Sequence, residues 1–192
     1  MSYRDLYTYC HGLQRRPSRW EIIDKVVQLT GRPGRPGIMV VGYDPNILLG
    51  TIQWLVPDGH PMAQRCNGEP LITVARGIGR PWTRLVVVKE VMHYFDDPLS
   101  HVGNAAQFEG LINEFSNEQP KDSEAMVSES IAYWRALALF CPEVKRQEYA
   151  RMRAAGTIDD AQIARDLVLP EDQVPLLFAP HFPTTVAQLL RC

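Results

Sequence analysis

The stretch Lys89-Glu90-Val91-Met92-His93 holds a cation, a carboxylate and an imidazole within five residues. It differs at one place from His-Glu-x-x-His. On a helix that pattern sets two histidines four residues apart on one face. Both can bind a zinc ion, and the glutamate beside the first histidine acts on the metal-bound water. Here Glu90 and His93 take the glutamate and second-histidine places, and Lys89 takes the first. Of the 20 basic residues only four are lysines (Lys25, Lys89, Lys121 and Lys145), so a lysine at that place is informative. An ammonium has no lone pair to offer a metal. Making it neutral at pH 7 costs roughly 4–5 kcal/mol, from a reference pKa of about 10.4.

A second stretch runs Glu129-Ser130-Ile131-Ala132-Tyr133-Trp134-Arg135-Ala136-Leu137-Ala138-Leu139-Phe140-Cys141-Pro142. It resembles the ligand helix of the ImmA/IrrE-type zinc metallopeptidases, whose pattern is like ExxANxFAAxLLMP. Glu129, Ala132, Ala136, Leu139 and Pro142 fall in register, whereas Tyr133 and Arg135 stand where that family favours Asn and Phe. The segment Ile163-Ala164-Arg165-Asp166-Leu167-Val168-Leu169-Pro170-Glu171-Asp172-Gln173-Val174 is similar to its IAxxLxVSxxxV ending. The resemblance covers about residues 20–178.

It implies a minimal gluzincin-like core, a small sheet with helices, in which the two motif helices face each other. It also implies a cytoplasmic protein that acts on a protein partner: a helix-turn-helix repressor or a toxin–antitoxin component. Such a protein works in the regulation of a mobile element, a prophage or a stress response. By this resemblance Glu90 is the general base, and His93 and Glu129 are metal ligands. Lys89 does not carry over. Charged, it belongs where the ion would sit, within salt-bridge distance of Glu129 or Glu90. A side-chain cation cannot make hydroxide from water. The expectation is therefore a degenerate site that works through protein–protein interaction, with no cofactor or with Zn²⁺ bound weakly. Two alternatives stay open. One is a working zinc endopeptidase that cleaves a small repressor-like protein. The other is an interaction domain with no pocket function, whose Lys89, Glu90 and His93 are a polar helix stripe.

Other candidate chemistry is thinner. Glu90 and His93 match one ExxH of a di-iron bundle, which needs two such motifs and two further glutamates. Asp96 or Asp97 could replace the missing ligand, but an acidic pair before Pro98 reads first as a solvated helix end. His101 lies eight residues past His93, which is not the spacing of a metzincin third ligand. His11, His60 and His181 read as surface or loop residues. Gly77-Ile78-Gly79-Arg80 reads as a turn and not as a phosphate loop, because no strand-to-helix GxGxxG is seen. There is no GxSxG. Cys10, Cys66, Cys141 and Cys192 are far apart, with no CxxC, which disfavours a cysteine zinc site and fits a reduced compartment.

The elements that must carry these residues follow from periodicity. Tyr3, Leu6, Tyr7, Cys10 and Leu13 predict a first helix. Ser18 caps a second over 19–30. Gly31 to Gly37 is a basic Pro/Gly connector. Ile38 to Val41, Leu48 to Leu55 and Leu71 to Ala75 predict about three strands. Helix returns from Pro81, although Val86, Val87 and Val88 alone favour a strand, and it ends by Pro98. A short apolar piece holds Phe108, Leu111, Ile112 and Phe115. Further helices are expected over 123–140, over 143–155 with a solvated character, over 158–167 with a cap at Thr157 and Asp160, and within 169–178. The class is α+β: a small sheet packed with helices and a mostly helical C-terminal half. One domain is expected, with N-terminal helices and connector over 1–36, a core over 37–142 and a helical tail over 143–192.

Composition bounds the partners. The 192 residues carry 22 acids and 20 bases, a net charge of −2. The mean hydropathy is −0.19 and the pI is about 6.2. A chain that coats nucleic acid or anionic membrane is not expected. No run of about 18 apolar residues predicts a membrane span, and residues 1–14 lack a signal peptide's apolar core. The 157–178 tail could be helix-turn-helix, but five acids face only Arg165 there, the wrong sign for phosphate contact. The first 36 residues hold seven bases and three acids. They read as a solvated surface balanced by the acidic tail, or as a contact for an acidic partner.

Overall fold

A computed structural model describes residues 2–96 and 124–191. Pro98, His101, Asp97 and the apolar piece with Phe108 and Phe115 lie outside the described residues.

Helix α1 (Tyr3–Gly12) turns Tyr3, Leu6 and Cys10 inward. The second helix, α2 (Arg19–Thr30), starts at the expected cap. Ser18 Oγ accepts from the Glu21 amide at 3.1 Å, and the Glu21 carboxylate accepts from the Ser18 amide at 2.8 Å. These reciprocal bonds satisfy amides that a helix start otherwise leaves open. Gly31, at φ +68, ends it in the left-handed conformation that glycine takes without steric cost.

Three strands form one sheet in the order β1-β3-β2. β1 (Gly37–Val41) runs parallel to β3 (Leu71–Ala75), and β2 (Gly50–Gln53) runs antiparallel to it. β3 is central, and all five of its residues are buried. A single turn, α3 (Ala63–Cys66), precedes it. Then comes α4 (Gly79–Met92). Its valine run is helical despite its β preference. The helix lies against β2 and β3, against α2 and against α5 (Glu124–Phe140). Leu85, Val86, Val87, Val88, Val91 and Met92 are all buried. A helix enclosed on several sides is apolar nearly all round, and that burial outweighs propensity.

The C-terminal part is α6 (Glu143–Ala154), α7 (Asp160–Leu167), the short α8 (Val174–Leu177) and α9 (Phe182–Leu189). One expectation is corrected. The cap of α7 is Asp159 with Gln162, at 2.7 and 2.9 Å, two residues further along than Thr157 with Asp160. The reason is acceptor strength: the aspartate accepts the Gln162 amide as a charged group. Helix α9 lies within the expected helical tail, where the sequence reading gives no bounds after residue 178. One hydrophobic cluster runs from Tyr3 through the sheet and α4 to Leu189. The fold is α+β.

Candidate functional site

The last two turns of α4 carry the polar residues. Lys89 and Glu90 are helical, and His93 opens a tighter 3₁₀ turn, His93–Phe95. Asp96 then leaves in extended conformation, at φ −84 and ψ 158. Its amide still bonds the His93 carbonyl at 3.2 Å. This fold-back returns the Asp96 carboxylate to the histidine ring. Helix α5 passes alongside and offers Ser128 and Arg135, seven residues and so two turns apart on one face, with Glu129 on the adjoining flank.

The side chains form an alternating chain of charge. Glu90 Oε1 accepts from Lys89 Nζ at 2.9 Å, and the same ammonium also meets Glu129. Glu129 Oε1 lies 3.3 Å from His93 Nε2. His93 Nδ1 meets Asp96 Oδ2 at 2.8 Å, and Asp96 Oδ1 accepts from Arg135 at 2.7 Å. Ser128 donates to Asp96 at 2.7 Å. The order is Glu90, Lys89, Glu129, His93, Asp96, Arg135: three carboxylates and three cations. Nearly all of it is buried, with side-chain exposures of 2% for Glu90, 6% for His93, 7% for Asp96 and 28% for Glu129.

Electrostatics fix the protonation states. Burial works against charge on His93, but the bonds to Asp96 and Glu129 outweigh it and hold the imidazolium to about 9. Burial likewise opposes charge on Lys89, and Glu90 and Glu129 override it, so its pKa rises. Burial would raise the carboxyls of Glu129 and Asp96. Lys89 and His93 pull Glu129 well below the usual carboxylate range, and His93 and Ser128 lower Asp96.

The four residues singled out by spacing, Lys89, Glu90, His93 and Glu129, therefore stand together. As arranged, they do not fit the zinc ion that the resemblance implies. The ammonium is bonded to both carboxylates that would flank the ion. A charged imidazole has two N–H donors and no lone pair for a metal. Among the described residues no group of three His, Cys, Asp or Glu side chains has metal-holding geometry.

Asp96 corrects an expectation, because it is an interior ion-pair partner and not a solvated helix end. The 3₁₀ fold-back is the physical reason. Arg135 and Ser128 were not anticipated as part of the site. Arg135 did give a signal, a charge set inside the apolar run Trp134 to Phe140. Tyr133, the other departure from the family pattern, donates to Gln173. His11 is also corrected. It stacks on Tyr7 with centroids 3.6 Å apart, bonds the Ala138 carbonyl through Nε2 at 3.0 Å and accepts the Glu143 amide on Nδ1 at 3.1 Å. It thus ties α1 to the α5–α6 corner. His60 and His181 lie in connecting segments.

Comparison with protein families, curated proteins and solved structures finds no match for this chain.

Proposed function

We propose that this chain is a metallopeptidase-type scaffold of the ImmA/IrrE kind whose ion has been replaced by its own Lys89 ammonium. It acts by binding a protein partner, such as a helix-turn-helix repressor or a toxin–antitoxin component, in regulation of a mobile element or stress response. One observation carries the reading: the ammonium shared by Glu90 and Glu129. The motif register of Glu129 on the facing helix supports it. In this arrangement Glu90 is engaged by a permanent cation and is no free base for water. Lys89 supplies local charge balance, and an ammonium does not polarise a carbonyl as a Lewis acid or lower the pKa of a bound water as a zinc ion does.

The test is Lys89→His, which rebuilds His-Glu-x-x-His with Glu129 as third ligand and leaves a fourth position open. Isothermal titration with zinc should show binding at least a hundredfold tighter in the variant than in the parent. A Lys89→His, Glu129→Gln double variant should lose most of that gain. Equal, weak affinities in parent and Lys89→His would mean that these residues never belonged to a metal site. Stoichiometric zinc in the parent, purified without added metal, would instead favour the working endopeptidase.

A further inference from the structure

Among the described residues β1 stands at an edge of the sheet, paired with β3 on one side. The Gly37 amide donates to the Pro70 carbonyl at 2.9 Å, and the Val41 carbonyl accepts from the Arg76 amide at 2.8 Å. Residues 37, 39 and 41 therefore turn their backbone groups to β3. Strand alternation turns those of Ile38 and Val40 outward, and among the described residues no group bonds them. Such an edge is normally blunted by a charge or a proline. β1 reads Gly-Ile-Met-Val-Val and has neither. Val40 is 53% exposed. The opposite edge, β2, is one residue shorter, and its large apolar residue, Ile52, is buried.

A cleft of about 310 Å³ opens beside the start of β1. Trp20, Pro36, Ile38 and Met62 give it apolar walls, and Arg35 and Arg65 line it with charge. Trp20 is 43% exposed, with the Arg19 and Arg35 guanidiniums 4.7 and 5.2 Å from its ring centre. On the other wall α3 closes tightly onto the strand. A Cβ at Gly37 would lie 2.5 Å from Cys66 Sγ and 3.7 Å from Met62 Cε. Arg35 is engaged by Asp24 at 2.7 Å, so the cleft's open charge is Arg65. Arg76 is exposed and holds the Val41 carbonyl through its amide, which sets a second guanidinium at the far end of β1. Among the described residues no carboxylate lines the cleft.

These features select an occupant. Outward amides and carbonyls call for another extended backbone. The uncovered Val40 and the cleft call for apolar side chains at alternate positions. Arginines at both ends call for carboxylates. A second copy of the chain fits poorly. Pairing β1 with itself, in either direction, sets arginine ends against arginine ends, and like charges across a strand pair are destabilising. From Gly37 to Val41 the strand spans about 13 Å, at about 3.3 Å per residue, so carboxylates four residues apart reach both ends.

We infer that β1 accepts an extended acidic segment of a protein partner as an added strand. Apolar side chains of that segment pack on Val40 and in the Trp20–Met62 cleft, and its carboxylates meet Arg65 and Arg76. This gives a place to the partner binding proposed above and rests on that reading. Its test leaves Lys89, Glu90 and Glu129 untouched. Failure here removes the surface, whereas equal zinc affinities in the Lys89→His titration remove the scaffold reading.

The test uses the whole protein and a fluorescein-labelled peptide, Thr-Glu-Val-Thr-Val-Glu-Thr, read by fluorescence anisotropy. The parent should bind it saturably, at least tenfold more tightly than the same peptide with lysine for both glutamates. Arg65→Glu with Arg76→Glu should reverse that preference. Arg151→Glu, an exposed change on α6, should bind as the parent does. Val40→Pro removes an outward amide and spares the bonds to β3, so it should weaken binding at least tenfold with an unchanged circular dichroism spectrum. N-methylated peptides separate strand addition from simple charge attraction. The amides of the two valines and of the central threonine point to opposite edges of the peptide. Methylating one set should abolish binding and methylating the other should spare it, a result that decides even where Val40→Pro fails to fold. The inference is overturned by unsaturable binding, by equal affinity for the lysine peptide, by a double variant that keeps the parent's preference, or by methylation with the same effect on both sets. A dimer that Val40→Pro dissociates would overturn it in favour of a second copy.

Discussion

Lys89 is the residue on which the site turns. Glu90 is 2% exposed and Glu129 is 28% exposed, and the ammonium pairs with both, with the His93 ring 3.9 Å from Glu90 and 3.3 Å from Glu129. Removing one partner of a buried ion pair leaves an uncompensated charge and costs about 3–5 kcal/mol. Lys89→Met should therefore destabilise the fold by about that amount in urea denaturation. Adding Glu90→Gln should return part of the loss, because without the lysine the repulsion between Glu90 and Glu129 is no longer offset. A cost below about 1 kcal/mol for Lys89→Met would place the pair among solvent-screened ones and remove its claim to stand in for an ion. At this scale the sequence was readable where chemistry is local. Lys89, Glu90 and His93 fall within two turns of one helix, and Glu129 was found by register. Asp96 was legible only as one of two possible replacement ligands, and Ser128 not at all, because a 3₁₀ turn after a helix leaves no periodic mark.

The elements were legible in proportion to how local their causes are. The Ser18 cap, Gly31 and the strands 37–41 and 71–75 follow from short-range rules, and they lie where expected within a residue or so. What the sequence left open was the pairing: β3 between β1 and β2, with β1 parallel. That order depends on how α4 covers the sheet, and Gly50 shows the contact. A Cβ there would lie 2.4 Å from Val86 Cγ1 and 2.6 Å from the Thr73 carbonyl oxygen. A side chain can move aside, but the carbonyl belongs to the central strand. Gly50→Ala should cost about 3 kcal/mol, the upper end for overpacking. It should also shift the NMR signals of Glu90, one turn beyond Val86. Gly12→Ala is the control, since nothing lies within 4 Å of its Cβ, and a helical alanine is neutral or better. Equal stabilities for the two variants would mean that α4 sits farther from the sheet than described.

Across the whole molecule the charge chain links α4 to α5, so its titration should appear in global stability. His93 has a folded pKa raised from the ordinary 6.5 to about 9. A raised pKa favours folding wherever the unfolded chain still binds the proton less tightly. The contribution is full below about 6.5 and is lost as pH rises through about 9. Its size is on the order of 3 kcal/mol, from 1.36 kcal/mol per unit. Other groups act outside that window. His11 is lowered by burial, so it adds stability with rising pH only up to about 6.5. The Cys10 and Cys141 thiols, pushed by burial from 9.0 to about 12, lose their contribution only above about 9. The lowered carboxyls of Glu129 and Asp96 act on the acid side, where their contribution disappears as pH falls below the ordinary carboxylate range. Unfolding free energy from urea should therefore peak near pH 6.5 and fall steadily to pH 9. His93→Gln should flatten that alkaline slope while leaving the acid limb from Asp96 in place. A parent curve that is level between pH 6.5 and 9 would show that His93 is not held charged, and the alternating chain of three acids and three bases would lose its central link.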